Sequence, residues 1–237
     1  MILLYDLAGA DGRRFSPNCW RTRMALAHKG LSCETRATRF TEISSIAGGG
    51  HKTVPVIDDG GHIVGETAVI ADYLEIMYPE RTSLFGGVSG RALTQFVQAW
   101  AIATLHVGIF DLIVLDIHNV LDARDKDYFR ASREKRLGRT LEEAQAGREE
   151  RLPAFRKSLQ PLRMLLGSQE FIGAEGPLYA DYLAFGALQW ARMVSDFKLL
   201  APDDPVAVWF ERCLDLYDGL GRKALPARSV DRVARPS

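Results

Sequence analysis

Cysteine is scarce in this chain of 237 residues, which contains only Cys19, Cys33 and Cys213. Their number is odd, and their spacing follows no disulfide framework. The sequence therefore argues against the class of small, disulfide-stabilised secreted domains. We expect reduced thiols and a cytoplasmic setting.

An excess of one charge is also lacking, since Lys and Arg together number 30 and Asp and Glu together number 30. Nucleic-acid binders normally carry a basic surplus, so this balance argues against a nucleic-acid partner. It likewise gives no reason to expect attraction to an acidic membrane surface.

Uninterrupted apolar runs of membrane-spanning length are missing as well. The first residues have no basic leader, and their apolar run is too short for a signal peptide. The most apolar segment, 101–118, is interrupted by His106, Asp111 and Asp116. Charges inside such a segment are costly in lipid, so we expect a buried core helix and no membrane partner.

What the chain does have is an alternation of strand and helix patterns in its first part. Apolar and period-two runs predict strands, whereas apolar residues at helical spacing predict helices. Pro17 suits the first position of a helix, and Gly30 suits its end. The predicted order is βαβαββα, with strands at 2–7, 33–39, 53–58 and 62–66 and helices at 17–30, 41–47 and 67–78.

Strand patterns vanish beyond residue 90, and the glycine-rich stretch 84–90 is typical of a linker. We therefore predict two domains, an α/β domain at 1–82 and an all-helical domain at 92–237, joined by a linker at 83–91. The helices of the second domain are predicted at 92–121, 127–146, 153–167, 179–195 and 205–219.

The stretch SPNCWRTR at 16–23 lies where the first strand gives way to the first helix. Ser16 is a preferred helix cap and Pro17 a preferred first helical residue, so capping alone explains the pair. The start of a helix also offers free N–H groups and positive potential to an anion. A serine hydroxyl there can donate to a thiolate, the reactive form of sulfur, so the motif fits an active site as well.

Two further pairs lie at element boundaries of the first domain. Proline just inside a strand is unusual unless the strand is at an edge or the peptide is cis. A cis Val54-Pro55 bond would turn the Val54 backbone outward to pair with an extended peptide. Glu66 and Thr67 begin a helix, where Thr67 could meet a carboxylate and Glu66 an ammonium group. A simple helix cap explains this second pair equally well.

Together, the Ser-Pro helix start, the Val-Pro pair and the acidic-hydroxyl pair resemble the glutathione-binding domain of glutathione transferases. In that family this domain is thioredoxin-like and precedes an all-helical domain. The resemblance implies that glutathione is the co-substrate and that Ser16 is the catalytic residue, donating a hydrogen bond to the glutathione sulfur.

The same resemblance implies where the rest of glutathione binds. Its cysteinyl part would pair with Val54 next to a cis Pro55, and its γ-glutamyl end would meet Glu66 and Thr67. The basic residue that usually stands directly before the Val-Pro pair is absent, since position 53 is threonine. The candidates for the glycyl carboxylate are therefore Lys52 and, in second place, His51.

The second domain is similar to the β-etherase branch of glutathione transferases, bacterial enzymes that cleave β-aryl ethers of lignin-derived aromatics. This similarity implies a homodimer and attack of the glutathione thiolate on the carbon that bears the aryloxy group. The segments that carry it are VLDIH (114–118), DYFRASRE (127–134), LEEAQAGREERLP (141–153) and DDPVAVWFERCLDLYDGLGR (203–222).

One folding signature of the family is incomplete. Many glutathione transferases carry a Ser/Thr-x-x-Asp capping box in a core helix of the second domain. Here Asp181 has the acidic position, but Leu178 occupies the cap position. This departure weakens a folding signal and leaves the active-site residues untouched.

The small aromatic substrate is expected between Ser16 and the first long helix of the second domain. Trp100, His106 and Phe110 lie near one face of that helix and are candidates for a hydrophobic substrate site. An aromatic stripe at this spacing fits a core position as well. We expect no metal, because His118 and the aspartates near it match neither zinc nor calcium spacing.

Two other function classes remain open. A binding protein that keeps the fold would carry aromatic ligands with little turnover. A thiol-disulfide reductase would use Cys19, which with Ser16 has the spacing of a thioredoxin C-x-x-C motif whose first cysteine is replaced. A buried, inert Cys19 fits the sequence too.

Overall fold

The first domain contains a mixed four-stranded sheet in the order β2-β1-β3-β4. The computed structural model describes residues 1–227, so the end of the predicted second domain, 228–237, lies outside the described residues. β1 is parallel to β2 and antiparallel to β3, which forms an antiparallel hairpin with β4. The elements are β1 Ile2–Leu7, α1 Pro17–His28, β2 Cys33–Thr38, a 3₁₀ segment Phe40–Gly48, β3 Val56–Asp59, β4 His62–Gly65 and α2 Thr67–Met77.

This arrangement confirms the predicted thioredoxin-like domain, and the pattern of each strand explains its place in the sheet. β1 is central and almost wholly buried, as its continuous apolar run predicts. β2 is an edge strand, and its side chains alternate between half-buried and exposed over most of its length. β3 begins at Val56, later than predicted, because Pro55 has no N–H to donate to a strand ladder.

The second domain is built from helices, which confirms the predicted all-helical architecture. A π-helical segment, Ala101–His106, connects the first two of them without a break. The helices are α3 Val88–Trp100, α4 Val107–Val120, α5 Ala123–Leu137, α6 Leu141–Gln145, α7 Arg148–Ser158, α8 Gln160–Leu166, α9 Tyr179–Val194 and α10 Pro205–Gly219.

Some helix boundaries differ from the prediction, each at a local backbone feature. α3 begins at Val88, inside the segment predicted as a linker, directly after Gly87, whose φ is 108°. The helix predicted at 127–146 is divided because Gly138 adopts a left-handed conformation with φ 66° and ends α5. The helix predicted at 153–167 is divided at Leu159, between α7 and α8.

α3, the π-helical segment and α4 form one continuous helix of 33 residues, Val88–Val120, whose most apolar window has a mean hydropathy of 1.8. By length and composition alone, such a helix could cross a membrane. Core helices of globular proteins pass the same test, and 39% of that window is buried inside the protein. Ala101, Leu105 and Ile109 are fully buried, and α4 packs against α9. These contacts fit the predicted core helix.

The two domains meet where α9 crosses the first turn of α1. A Cβ atom at position 186 would lie 2.4 Å from the Pro17 carbonyl oxygen, so the close approach requires Gly186. At a second junction, the buried Asp125 carboxylate of α5 accepts the N–H groups of Phe40 and Thr41 at 2.8 and 3.1 Å. The first contact holds the start of α1, and the second holds the 3₁₀ segment, against the helical domain.

Candidate active site

A cleft of about 750 Å³ opens between the two domains at the start of α1. One wall comes from the α/β domain, and the other comes mainly from α4, α5 and α9. The cleft brings the predicted residues Ser16, Lys52 and Val54 into one space with His106 and Phe110. A peptide and an aromatic compound can therefore meet in it.

Ser16 is the N-cap of α1, and the residue is 5% exposed. Its hydroxyl oxygen accepts a hydrogen bond from the Cys19 N–H at 3.2 Å. This bond uses the oxygen as acceptor, so the hydroxyl proton remains available to a partner in the cleft. The first turn of α1 contains no acidic residue, so the positive end of the helix is not neutralised there. The arrangement suits an anion such as a thiolate.

Cys19 lies on the buried side of the same turn and is 0% exposed. Burial raises the pKa of its thiol well above the ordinary value, and the nearby Asp6 carboxylate raises this pKa further. A buried thiol with a raised pKa is a poor nucleophile. The structure therefore disfavours Cys19 as the reacting group of a reductase.

The predicted cis bond at Val54-Pro55 is confirmed. Val54 lies just before β3 and lines the cleft. Within residues 1–227, no group forms a hydrogen bond to the Val54 N–H or C=O. The backbone of Val54 therefore offers a free donor and a free acceptor at the wall of the cleft.

Glu66 and Thr67 mark the start of α2, next to the Val54 segment. Glu66 has φ 67°, a conformation that costs a residue other than glycine about 1–3 kcal/mol and that concentrates at functional sites. Its carboxylate accepts a hydrogen bond from Thr53 Oγ1 at 3.0 Å, while the Thr67 carbonyl accepts one from the Tyr179 hydroxyl at 3.0 Å. Both residues lie outside the cleft lining, beyond Thr53.

Lys52 lines the cleft and is exposed, and no carboxylate in the described part of the chain forms a salt bridge with it. His51 is half-buried, and its Nδ1 would lie 3.7 Å from a Cβ atom at Gly65. The free ammonium of Lys52 is thus the better placed of the two predicted groups to meet a carboxylate in the cleft.

The aromatic wall contains two of the three predicted residues, His106 and Phe110. Both rings lie near Trp190 of α9, with ring centroids 5.9 and 6.2 Å from it. Trp100 is half-buried and does not line this cleft. Six residues separate Trp100 from His106, and at 3.6 residues per turn this spacing turns their side chains about 120° apart, so they leave the helix on different faces.

His106 is held as a neutral group. Its Nε2 lies 2.5 Å from a guanidinium nitrogen of Arg21, which is almost wholly buried. Burial, which is the larger cause, and the Arg21 charge together lower the pKa of His106 to about 3. Because Arg21 can only donate, His106 Nε2 is the acceptor and Nδ1 carries the proton.

Other residues of the cleft were missed in the sequence. Trp190 belongs to a helix with almost every residue buried, so its pattern indicates only core. Arg133 and Arg136 lie in a charge-rich helix whose pattern is typical of a solvated surface. Their role depends on the angle between α5 and the first domain, which no local pattern encodes.

No group of three or more His, Cys, Asp or Glu side chains that could hold a metal ion occurs within residues 1–227. The three cysteines are free thiols. The groups able to act on a ligand in the cleft are therefore hydrogen-bond donors, cations and aromatic rings.

Comparison with known proteins agrees with this architecture. Residues 12–82 match the N-terminal domain of glutathione S-transferases, and residues 92–215 match their C-terminal domain. A glutathione S-transferase of Ceriporiopsis subvermispora, solved in complex with glutathione, has a similar fold with a TM-score of 0.78, 23% identity, and coverage of 92% of this chain and 96% of that one. Glutathione transferase GSTFuA3 of Phanerochaete chrysosporium is similar with a TM-score of 0.72, 26% identity, and coverage of 100% and 98%.

A curated relative matches a smaller region. A maleylacetoacetate isomerase of Dictyostelium discoideum is 31% identical over 88 residues, or 32% of this chain. The match spans 38% of the length of that relative. These comparisons confirm the family resemblance, while the β-etherase branch stays a prediction. The chain belongs to the glutathione S-transferase family.

Proposed function

We propose that this protein is a glutathione transferase of the β-etherase type, which uses the glutathione thiolate to displace an aryloxy group from lignin-derived aromatics. The observation that carries the proposal is the location of the Ser16 hydroxyl, at the start of α1 in a cleft whose far wall is aromatic. A thiolate at this point faces the space that an aromatic ring would fill. The three free cysteines fit work in the reducing cytoplasm.

Glutathione would lie along the α/β wall. Its cysteinyl part pairs with the free N–H and C=O of Val54, in the manner of an added strand. The γ-glutamyl ammonium meets the Glu66 carboxylate, and the γ-glutamyl carboxylate meets Thr67 at the start of α2. Lys52 binds the glycyl carboxylate from the other side. In this assignment each of the four residues binds a different group of glutathione.

The reaction is a substitution at carbon. The glutathione sulfur has lost its proton to solvent and is held by the Ser16 O–H and the N–H groups that open α1. It attacks the carbon that bears the aryloxy group, next to a carbonyl. The C–S bond forms while the C–O bond breaks, and the electron pair of the C–O bond leaves with the phenolate. The phenolate takes up a proton, so the products are a thioether and a phenol.

Two physical effects accelerate the reaction. Each unit by which the site lowers the pKa of the glutathione thiol corresponds to about 1.36 kcal/mol of thiolate stabilisation. Holding the sulfur and the aromatic carbon in line removes the entropy cost of their encounter. Ser16 forms no covalent bond in this scheme.

The alternatives use fewer of the observed groups. A reductase needs an exposed thiolate, and Cys19 is fully buried. A binding protein without turnover needs only the aromatic wall, which leaves the Ser16 hydroxyl proton and the free Val54 backbone without a role.

Incubation with glutathione and an α-keto β-aryl ether that releases a fluorescent phenol tests the proposal. We expect phenol release that requires glutathione and falls about 100-fold in Ser16→Ala, a loss typical of removing one donor to a developing anion. Ser16→Thr keeps both the hydroxyl and the helix cap and is the matched control. Ligand binding without glutathione consumption would contradict the proposal, and activity lost in Cys19→Ala alone would favour the reductase.

We also propose a homodimer, which is typical of this family, formed through apolar side chains on α2 and α3. Ile76, Val88, Leu93 and Phe96 are between 68% and 89% exposed. Ile76 and Val88 line one groove of about 250 Å³ between the two helices. Exposed apolar patches of this kind mark interaction sites.

The dimer is tested by the sedimentation of single variants. We expect Phe96→Asp to shift the protein to monomers, because a charge in an apolar interface is costly to desolvate. Met164→Asp, on α8, changes an equally exposed apolar residue and should leave the dimer intact. A wild-type protein that sediments as a monomer at micromolar concentration would contradict the proposal.

A further inference from the structure

The cleft carries more positive charge than glutathione needs. Three basic side chains, Lys52, Arg133 and Arg136, line it together with one acidic side chain, Asp111. Asp111 is already paired with Arg139, at 2.9 Å. Under the proposed function Lys52 serves the glycyl carboxylate, so two guanidinium groups remain without an anion.

Arg133 is a half-buried cation without a carboxylate. Its guanidinium lies 4.7 Å from the ring centroid of Phe129 and 5.4 Å from that of Phe40. It donates a hydrogen bond to Ser132 Oγ at 2.9 Å, and no acidic group in the described residues pairs with it. Burial lowers its pKa, and the neighbouring Arg136 charge lowers it further. A cation in these surroundings gains from an incoming anion.

Arg136 lies one helical turn further along α5, at the aromatic wall itself. Its guanidinium is 4.8 Å from the ring centroid of Phe110, which in turn contacts Trp190. No carboxylate in the described part of the chain forms a salt bridge with it. An aromatic ring bound against Phe110 would therefore have this guanidinium at its edge.

Two neighbouring arginines, in contrast, form salt bridges with carboxylates. Arg130, on the same helix, is paired with Glu134 and Glu142 at 2.7 and 2.8 Å. Arg148, at the start of α7, is paired with Asp116 at 2.7 Å. The chain thus supplies acidic partners for Arg130 and Arg148, but in its described part forms no salt bridge to the two arginines that line the cleft.

We propose that the aromatic substrate of this cleft carries a carboxylate, which Arg133 and Arg136 bind while the ring packs against Phe110 and Trp190. A planar guanidinium matches the two oxygens of a carboxylate, and an aromatic acid satisfies the rings and both charges at once. This inference rests on the proposed function and adds the substrate class to it.

The first test compares matched substrates. One aryl ether ketone is prepared with a carboxylate on the retained aromatic ring, as its methyl ester, and as its primary amide. We expect the carboxylate to have a kcat/KM at least about tenfold higher than the ester or amide, as hydrogen bonds to charged groups allow. Equal or lower kcat/KM for the carboxylate would overturn the inference and leave the proposed function intact. Absence of glutathione-dependent turnover for all three would contradict the proposed function itself.

The second test assigns the preference to the two arginines. We expect Arg133→Gln to reduce the carboxylate-to-ester ratio about tenfold, and the more exposed Arg136→Gln to reduce it roughly threefold. Arg133→Lys keeps the charge and should retain part of the preference. Arg124→Gln removes the same charge from an exposed position of the same helix outside the cleft and should leave the ratio unchanged.

Direct binding of benzoate and benzamide, measured by calorimetry, gives a readout that does not depend on turnover of the ethers. The wild-type protein should bind benzoate more tightly, and the glutamine variants should lose this difference while keeping the KM for glutathione. Variants that slow the carboxylate and the ester equally would show that the arginines only pack against Phe129 and Phe110, and would overturn the inference.

Discussion

The two walls of the cleft differ in how they are built. The α/β wall offers mainly backbone groups: the N–H groups that open α1, the free N–H and C=O of Val54, and the start of α2. The helical wall offers side chains from three helices, among them His106, Phe110 and Trp190. Backbone groups are present whatever the residue, whereas a side-chain wall changes with each substitution. We infer that mutations should affect glutathione and the aromatic substrate separately.

The two domains also treat their buried carboxylates differently, although Asp6 and Asp181 are both 0% exposed. Asp181 accepts four hydrogen bonds, at 2.7–3.0 Å, from the backbone N–H groups of 172, 173 and 178 and from Trp209 Nε1. Neither oxygen of Asp6 has a hydrogen-bond partner among the described residues, and Arg23 lies 3.7 Å away. The same isosteric change should therefore act in opposite directions at the two sites.

Asp181→Asn should have the largest effect. The amide NH₂ would face N–H donors in place of an acceptor, so two hydrogen bonds are lost in a buried site and the neighbouring donors stay unpaired. We expect the free energy of unfolding to fall by about 3 kcal/mol. Urea denaturation measures the free energy of unfolding. A decrease of less than about 1 kcal/mol would contradict the role of Asp181 in the helical domain.

Asp6→Asn should stabilise the protein above pH 6. Burial raises the pKa of Asp6 from 3.8 to about 6, so the native state prefers the protonated form. The wild-type protein then loses stability as the pH rises from about 4 to about 6, and the loss stays at higher pH. The neutral amide of the variant avoids this loss of stability. We expect its free energy of unfolding to be about 2 kcal/mol higher than that of the wild type at pH 8. Urea denaturation of both proteins at pH 4 and pH 8 checks the sign, and an Asn variant that is less stable at pH 8 would contradict it.

The sequence predicted the α/β side well because its signals are local. Ser16 and Pro17 mark the start of α1 by their own chemistry, and the strands follow from their apolar and period-two patterns. The sequence also indicated the acidic half of the capping box at Asp181, but not its bonds to the loop at 172–173 and to Trp209. Those partners are distant in sequence and become visible only in the packed domain.

The helical side of the cleft was predicted less completely. His106 ends the π-helical segment and Phe110 lies four residues further along, on α4, so the two share a face, as helical spacing predicts. Trp100 was assigned to the same face, but it lies six residues before His106, a spacing that places the two side chains on different faces of a helix. Arg133 and Arg136 reach the cleft through the tilt of α5 against the first domain. The tilt of α5 has no signature in a single sequence.

Phe110→Ala would sharpen the contrast between the walls. It removes an aromatic contact with the substrate and leaves the α/β wall untouched. We expect the KM for the aromatic substrate to rise about tenfold, as loss of an aromatic pair allows, while the KM for glutathione stays within about twofold. Glu66→Gln should raise the KM for glutathione and leave the KM for the aromatic substrate nearly unchanged. Steady-state kinetics with each substrate varied in turn measures the two KM values. Parallel changes in them would contradict the separate roles of the two walls.

Cys19→Ala should have the smallest effect. The thiol is buried, its pKa is raised, and the Cys19 backbone N–H that bonds Ser16 is kept in the variant. We expect ether cleavage within about twofold of the wild-type rate in the fluorescent phenol assay, since no group that faces the cleft changes. A loss of ten-fold or more in a folded variant would require a catalytic role for this thiol.

The most direct measurement is a titration of the glutathione sulfur in the complex with the enzyme, followed by the ultraviolet absorbance of the thiolate. We predict a pKa at least one unit below the value of about 8.5 that is typical of a free thiol, and a return towards that value in Ser16→Ala. A bound sulfur with the same pKa as in water, or one whose pKa is indifferent to the Ser16 hydroxyl, would contradict the account.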